Sequence, residues 1–279
     1  MLVTKVRALS LTAVAMLAFA ANSVLCRLAL QQEAIDAASF TVIRLLSGAL
    51  ALALLLGARG IPPARAGNWR SAFALFAYAA AFSFAYVSLP TGIGALLLFA
   101  AVQATMILTG LVRGERLTMS QLVGLLLAFG GFVHLLSPGL SAPPLGGALL
   151  MVGAGIAWGV YSLRGRGTRD PLAATAGNFL RTVPMAIGLA ILGVGSVNIQ
   201  SSGVLYAVLS GALASGSGYV VWYAALRGLS ATGAATVQLS VPVIAALGGV
   251  LLLGEVVTMR LVLASVAILG GVAIVLRGR

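Results

Sequence analysis

The sequence is short of negative charge. Five of its 279 residues are acidic, against seventeen lysines and arginines. All charged residues together make up 8% of the chain, where a soluble protein typically carries about 25%. So thin a polar shell could not cover a globular core of this length. Cysteine and histidine occur once each, as Cys26 and His134. A lone cysteine excludes an intramolecular disulfide. One histidine and so few acids also argue against an intramembrane enzyme, which needs a nucleophile, a base or a metal cluster at depth. No metal or cofactor is expected. The G-x-x-x-x-G-K-[ST] loop is missing, and with it ATP drive. No basic stretch is interleaved with aromatics, so the net charge of +12 does not point to nucleic acid.

What is present is apolar sequence, 61% of the residues. Runs of about 20 apolar residues recur with short breaks, the length a helix needs to cross hydrocarbon. Barrel strands would instead alternate over short segments. Reading the runs between breakers predicts an all-α membrane protein with ten transmembrane helices, at 8–30, 37–57, 69–88, 91–112, 119–137, 145–163, 172–195, 203–226, 231–253 and 259–277. With the amino terminus inside, thirteen of the seventeen basic residues fall in cytoplasmic loops or tails. Arg27 and Arg260 fall outside, and Arg44 and Arg181 within spans. This bias predicts that both termini are cytoplasmic. The first span resembles a signal peptide, with Ala18-Phe19-Ala20 as a small-x-small pattern. Its apolar character runs on through Leu30, so it is read as a retained helix.

Two stretches are nearly the same. LVRGERLTMS (Leu111 to Ser120) and LLLGEVVTMR (Leu251 to Arg260) share G-E-x-x-T-M and place Glu115 and Glu255 140 positions apart. Aligned without gaps, 111–136 and 251–276 share eight identities in 26. Upstream, Arg27 pairs with Arg164, Arg44 with Arg181 and Tyr86 with Tyr223, at an offset of 137. The chain thus divides into repeats at 8–137 and 145–277, five spans each. An odd number of spans forces the second repeat to insert upside down. Inverted repeats give many secondary transporters two faces of similar energy.

These residues resemble a known family. PVIAALGGVLLLGEVVTMRLVLASVAILGGVAIVL (Pro242 to Leu276) resembles the closing signature of an EamA domain of the drug/metabolite transporter superfamily. AWGVYSLRGR (Ala157 to Arg166) is similar to its tryptophan-glycine opening. The first half departs at Val102, in place of Pro242, and at Ala21-Asn22, in place of Trp158-Gly159. The resemblance implies ten helices, cytoplasmic termini and export or exchange of a small metabolite, in a bacterial-type inner membrane. Size and aromatic content are similar to those of YddG-type amino-acid exporters.

Particular residues carry the chemistry. Tyr78, Phe82 and Tyr86 recur every four positions, one face of the third helix. Tyr78 and Trp158, clear of the interfaces, are candidate cavity walls, while Tyr86 falls close to the outer interface and Tyr219, Trp222 and Tyr223 read as interfacial belt residues. Asn22, Gln103 and Gln238 lie deep in spans, where an unpaired amide is costly. They either bond across helices or face substrate. Pro242 leaves the carbonyl of Gln238 without its helical donor, which predicts a broken helix near the midplane. Arg44 and Arg181 either snorkel and pair with freed carbonyls, or offer a guanidinium to a substrate carboxylate. Glu115 and Glu255 each follow a glycine that ends one helix and precede a threonine that can cap the next; a carboxylate there is stabilised by the helix dipole and free amides, with gating as the alternative. No acid lies within a span, so flux is expected to be facilitative, by alternating access around a neutral-to-basic cleft. That favours amino acids or similar small metabolites over cationic drugs. Proton-coupled efflux and a channel are the alternatives. A monomer in the bilayer is expected, with a dimer left open.

Overall fold

The computed structural model describes residues 2–62, 66–112, 114, 116–139, 142–165, 168–226 and 237–277, with side chains from residue 9 onward. Glu115 lies outside the described residues, as does 227–236, into which the ninth expected span began.

Ten helices follow one another: α1 (Leu2–Gln31), α2 (Ala37–Gly57), α3 (Trp69–Tyr86), α4 (Thr91–Val112), α5 (Met119–Leu136), α6 (Leu145–Gly165), α7 (Pro171–Leu192), α8 (Ser201–Leu226), α9 (Ser240–Leu253) and α10 (Met259–Arg277). Eight are long and apolar enough to cross a membrane. The other two are α3, which carries serines, tyrosines and a tryptophan, and α9, whose described part is short. The described chain turns at Leu239 and resumes its helix at Ser240, two residues before Pro242.

Local chemistry sets the helix starts. Asp36, Asn68, Thr118 and Asp170 each accept a hydrogen bond from the backbone N–H three residues on. Each thereby satisfies one of the free amides of a first turn. Thr118 and Gln121 close this reciprocally as a capping box. Pro171 takes the first position of α7, where its missing N–H removes no helical bond. At the far end of α9, Gly254 adopts φ +67°, a left-handed C-terminal turn that glycine adopts without steric cost.

The most extensive pairings all join a helix of the first half to one of the second: α5 with α10, α3 and α4 with α6, α2 with α7 and α8, and α1 with α8 and α9. The halves therefore share one interior. Small residues permit the closest of these approaches. A Cβ on Gly124 or on Gly271 would strike the other residue's carbonyl oxygen. Gly131 abuts Ile268 and Gly271 abuts Ala128, contacts that interchange under the offset of 140. Outside the bundle core, Asp36 N–H donates to Asn198 O at 2.9 Å and Gln200 N–H to Ala34 O at 2.8 Å, stitching the loop before α2 to the loop before α8.

Candidate functional site

Arg44, on α2, points into the shared interior and is 1% exposed. Its Nε donates to Ser215 Oγ at 3.2 Å and its Nη2 to Tyr78 Oη at 3.0 Å. The guanidinium carbon lies 4.9 Å from the Phe82 ring centre and 5.1 Å from that of Tyr78, both cation–π distances. Nη1 has no hydrogen-bond partner. No carboxylate lies within ion-pair distance of this guanidinium among the described residues. A buried charge without a counterion is costly, and aromatic faces and hydroxyls offset that cost only in part.

Around this charge the two halves supply alternate walls. Asn22, on α1, donates from Nδ2 to Tyr78 Oη at 3.1 Å and accepts from the Ser210 hydroxyl. Trp158, on α6, is the hub of an aromatic cluster: its ring centre lies 4.7 Å from Tyr219, 5.0 Å from Tyr78, 5.5 Å from Tyr161 and 6.0 Å from Phe19. The hydroxyl of Tyr219 is buried and has no partner. Asn22, Tyr78, Trp158 and Tyr219 are each no more than 5% exposed, so the site is closed to both ends.

Ser210 and Ser215 reach one face because of how α8 is wound. Residues Leu209–Ser217 form π-helix inside an otherwise α-helical rod. Backbone bonds there run five residues back, as from the Gly218 N–H to Leu213 O. Two serines five apart are then one turn apart. Such widened turns occur often at functional sites. Gly211 lies so close to α2 that a Cβ would strike the carbonyl of Arg44 and the hydroxyl of Ser47.

Each end of α3 carries an arginine clamp. At its C-terminal end, Arg27 Nη1 donates to the carbonyls of Tyr86 (2.9 Å) and Val87 (3.0 Å), while Nε lies 3.6 Å from Glu255 Oε1. Glu255 accepts from the Thr91 N–H with both oxygens, at 2.9 and 2.8 Å, and from the Thr91 hydroxyl at 3.0 Å. Tyr86 Oη donates to Thr91 O at 3.2 Å. At the N-terminal end, Arg164 Nε donates to Ser71 Oγ and Nη2 to Asn68 Oδ1, both at 3.0 Å. A cavity of about 170 Å³ opens there, bordered by Ser71, Tyr161, Arg164, Asn178 and Tyr223.

Of the candidate site residues, the structure brings Asn22, Arg44, Tyr78 and Trp158 together. Gln103 and Gln238 are buried, on α4 and just ahead of α9. Arg181 is not part of the cluster. It donates to the carbonyls of Ala66 (2.7 Å) and Gly177 (2.8 Å), the alternative in which it latches freed carbonyls. Thr258 caps the helix after Glu255, accepting from Leu261 N–H, while the Glu255 carboxylate itself caps α4. Two expectations need correction. Tyr219 and Trp222 are not interfacial: they are 2% and 5% exposed and pack edge-on against Phe19. Tyr86, read as interfacial, is wholly buried. Ser210, Ser215 and Tyr219 carried a signal in SGALASGSGY, where three serines and a tyrosine punctuate a small-residue run.

A closed polar site at the seam of a multi-pass helical bundle defines the transporter class. Residues 6–137 and 145–277 both match the model of the EamA-like transporter family. The chain belongs to that family and is a multi-pass membrane transporter. It is 61% identical over 275 residues to an uncharacterized protein of Pseudomonas aeruginosa, covering 98% of this chain and 96% of that one. An uncharacterized transporter of Archaeoglobus fulgidus is 30% identical over 201 residues, 69% of this chain and 70% of that one. A solved crystal structure superposes with a TM-score of 0.66 at 22% identity, covering 95% of this chain and 97% of the other, a likeness of fold alone.

Proposed function

We propose that this chain is a facilitative secondary transporter of small carboxylate-bearing metabolites, amino acids being the first class to test. It works by alternating access between two inverted five-helix repeats. The observation that carries this reading is Arg44, a buried guanidinium with a free N–H edge and, among the described residues, no protein carboxylate beside it. A solute carboxylate supplies the missing counterion, and the rings of Trp158, Tyr78 and Tyr219 give an apolar group somewhere to stack.

The bias of arginine and lysine supports both termini in the cytoplasm, the apolar runs support ten crossings, and the family likeness supports a bacterial-type inner membrane. The interchanging Gly131–Ile268 and Gly271–Ala128 contacts support a two-fold relation between the repeats. In this orientation the Arg27–Glu255–Thr91 clamp faces outside and the Arg164 cavity faces the cytoplasm. Loosening one clamp while the other holds exposes Arg44 to one compartment at a time. The described acids Glu33, Asp36, Asp170 and Glu255 all lie at helix ends or in loops, which favours facilitation or exchange over proton coupling.

Counterflow in proteoliposomes tests the reading. Vesicles preloaded with unlabelled solute should take up labelled solute transiently above equilibrium, and a screen of amino acids and related acids should find such a solute. Accumulation driven by a proton gradient alone, or flux without saturation, would refute the facilitative carrier.

A further inference from the structure

The charge of the central site sets the charge of its ligand. Arg44 is the only fully buried cation among the described residues, so the empty site carries one net positive charge. The groups left over point the same way. Arg44 Nη1 and Tyr219 Oη have no partner. Tyr78 Oη already accepts from both Asn22 and Arg44, leaving its proton to donate. Asn22 Oδ1 and Ser215 Oγ each already receive one donor, from Ser210 and from Arg44, and no carboxylate joins them among the described residues. Donors without acceptors match an oxyanion.

An ammonium finds no carboxylate there among the described residues, and Arg44 itself already lies over Tyr78 and Phe82. A second positive group would enter a desolvated interior beside a like charge, with no carboxylate to meet it. We propose that the central site is built for a monoanion, an aryl or alkyl monocarboxylate, and that it binds a deaminated acid in preference to the amino acid of the same skeleton. This rests on the transporter reading above and sharpens its substrate class. A monoanion brings the site to neutrality. A zwitterion leaves it at one positive charge, and an amine raises it to two. A doubly charged phosphate ester would exceed the one guanidinium available.

Three probes share a phenyl group and differ in charge: 3-phenylpropanoate, phenylalanine and phenethylamine. Their binding to the purified full chain in lipid nanodiscs can be read from tryptophan fluorescence, since Trp158 touches the cluster. The expected order is propanoate, then phenylalanine, then amine, with the first two separated by about tenfold or more, the size of one charge-assisted contact. Arg44→Gln should weaken the propanoate by a similar factor and shrink the gap between the probes. Tyr219→Phe, which keeps the ring and lets the fold be checked separately, should weaken the propanoate alone. Phenylalanine binding as tightly as 3-phenylpropanoate, or no binding of any probe, overturns the proposal. Counterflow is measured beside it: exchange of phenylalanine without 3-phenylpropanoate leaves the transporter standing and removes the monoanion assignment. A chain that exchanges no solute removes the transporter reading instead.

Discussion

Glu255 caps a helix that begins 164 residues before it. Its two oxygens share the N–H of Thr91 while its edge faces Arg27 at 3.6 Å. Helices α1, α3, α4 and the loop after α9 are tied at this one point. Thr91 is wholly buried, so loss of the carboxylate leaves an N–H and a hydroxyl unsatisfied.

Glu255→Ala should therefore destabilise the protein by about 1–3 kcal/mol, the cost of orphaned buried groups. Glu255→Gln, which can still accept from Thr91, should cost less. Thermal unfolding in detergent measures both. Equal losses would mean that the charge, and not the cap, holds the clamp. On the functional side, the alanine variant should admit a membrane-impermeant thiol reagent to a cysteine placed at Ser23, one turn inward of Arg27, faster than the parent does.

Tyr78→Phe removes one oxygen that receives two donors, from Asn22 and Arg44. The ring stays in place against Trp158, so packing changes little. Counterflow should nonetheless fall by about tenfold or more, because the buried guanidinium loses its anchor. Trp158→Ala removes the hub of four ring contacts and should abolish exchange. Unchanged transport in both variants would place the substrate elsewhere.

Gly211→Ala should be among the most damaging single-methyl additions. No Cβ fits between the widened turn of α8 and the backbone of Arg44. Gly153→Ala and Gly188→Ala meet nothing within 4 Å and serve as controls. Expression yield and monodispersity on size exclusion should drop for the first and hold for the other two.

Asp36 lies in the loop before α2, outside the spans. Partial burial disfavours its charge, but the bonds from Ser39, Asn198 and Ala38 outweigh that, and its pKa falls below the ordinary 3.8. A lowered carboxylate pKa stabilises the fold fully above the ordinary value, and the contribution fades as pH drops through the folded value. Stability should thus be flat from neutral to about pH 5 and decline below about pH 4. Asp36→Asn should flatten that acid limb, which melting curves across pH would reveal.

Reporter fusions at each terminus should both read cytoplasmic. Opposite readings would remove the inverted repeat, and with it the two-gate scheme.

Much of this was legible in the sequence because hydrocarbon permits few solutions. Apolar runs place α2 and α4 at their observed limits, 37–57 and 91–112, and the four-residue spacing of Tyr78, Phe82 and Tyr86 does put them on one buried face. Depth along a span was misleading for Tyr219 and Trp222: position near a helix end does not say whether a neighbour covers it, and here Phe19 does. The capping of α4 by Glu255 was illegible for a different reason. The G-E-x-x-T-M string is local, while its partner Thr91 comes from the other repeat. The π winding of α8 has no propensity signature, so Ser210 and Ser215 looked like packing residues in a run of glycine and alanine.

That winding also makes α8 sensitive to pitch in a way its neighbours are not. Rewinding 209–217 to ordinary α pitch at its present length would turn everything beyond it about the helix axis. Tyr219 and Trp222 would then rotate off Phe19, and the aromatic lining would come apart while every side chain in it remained unaltered.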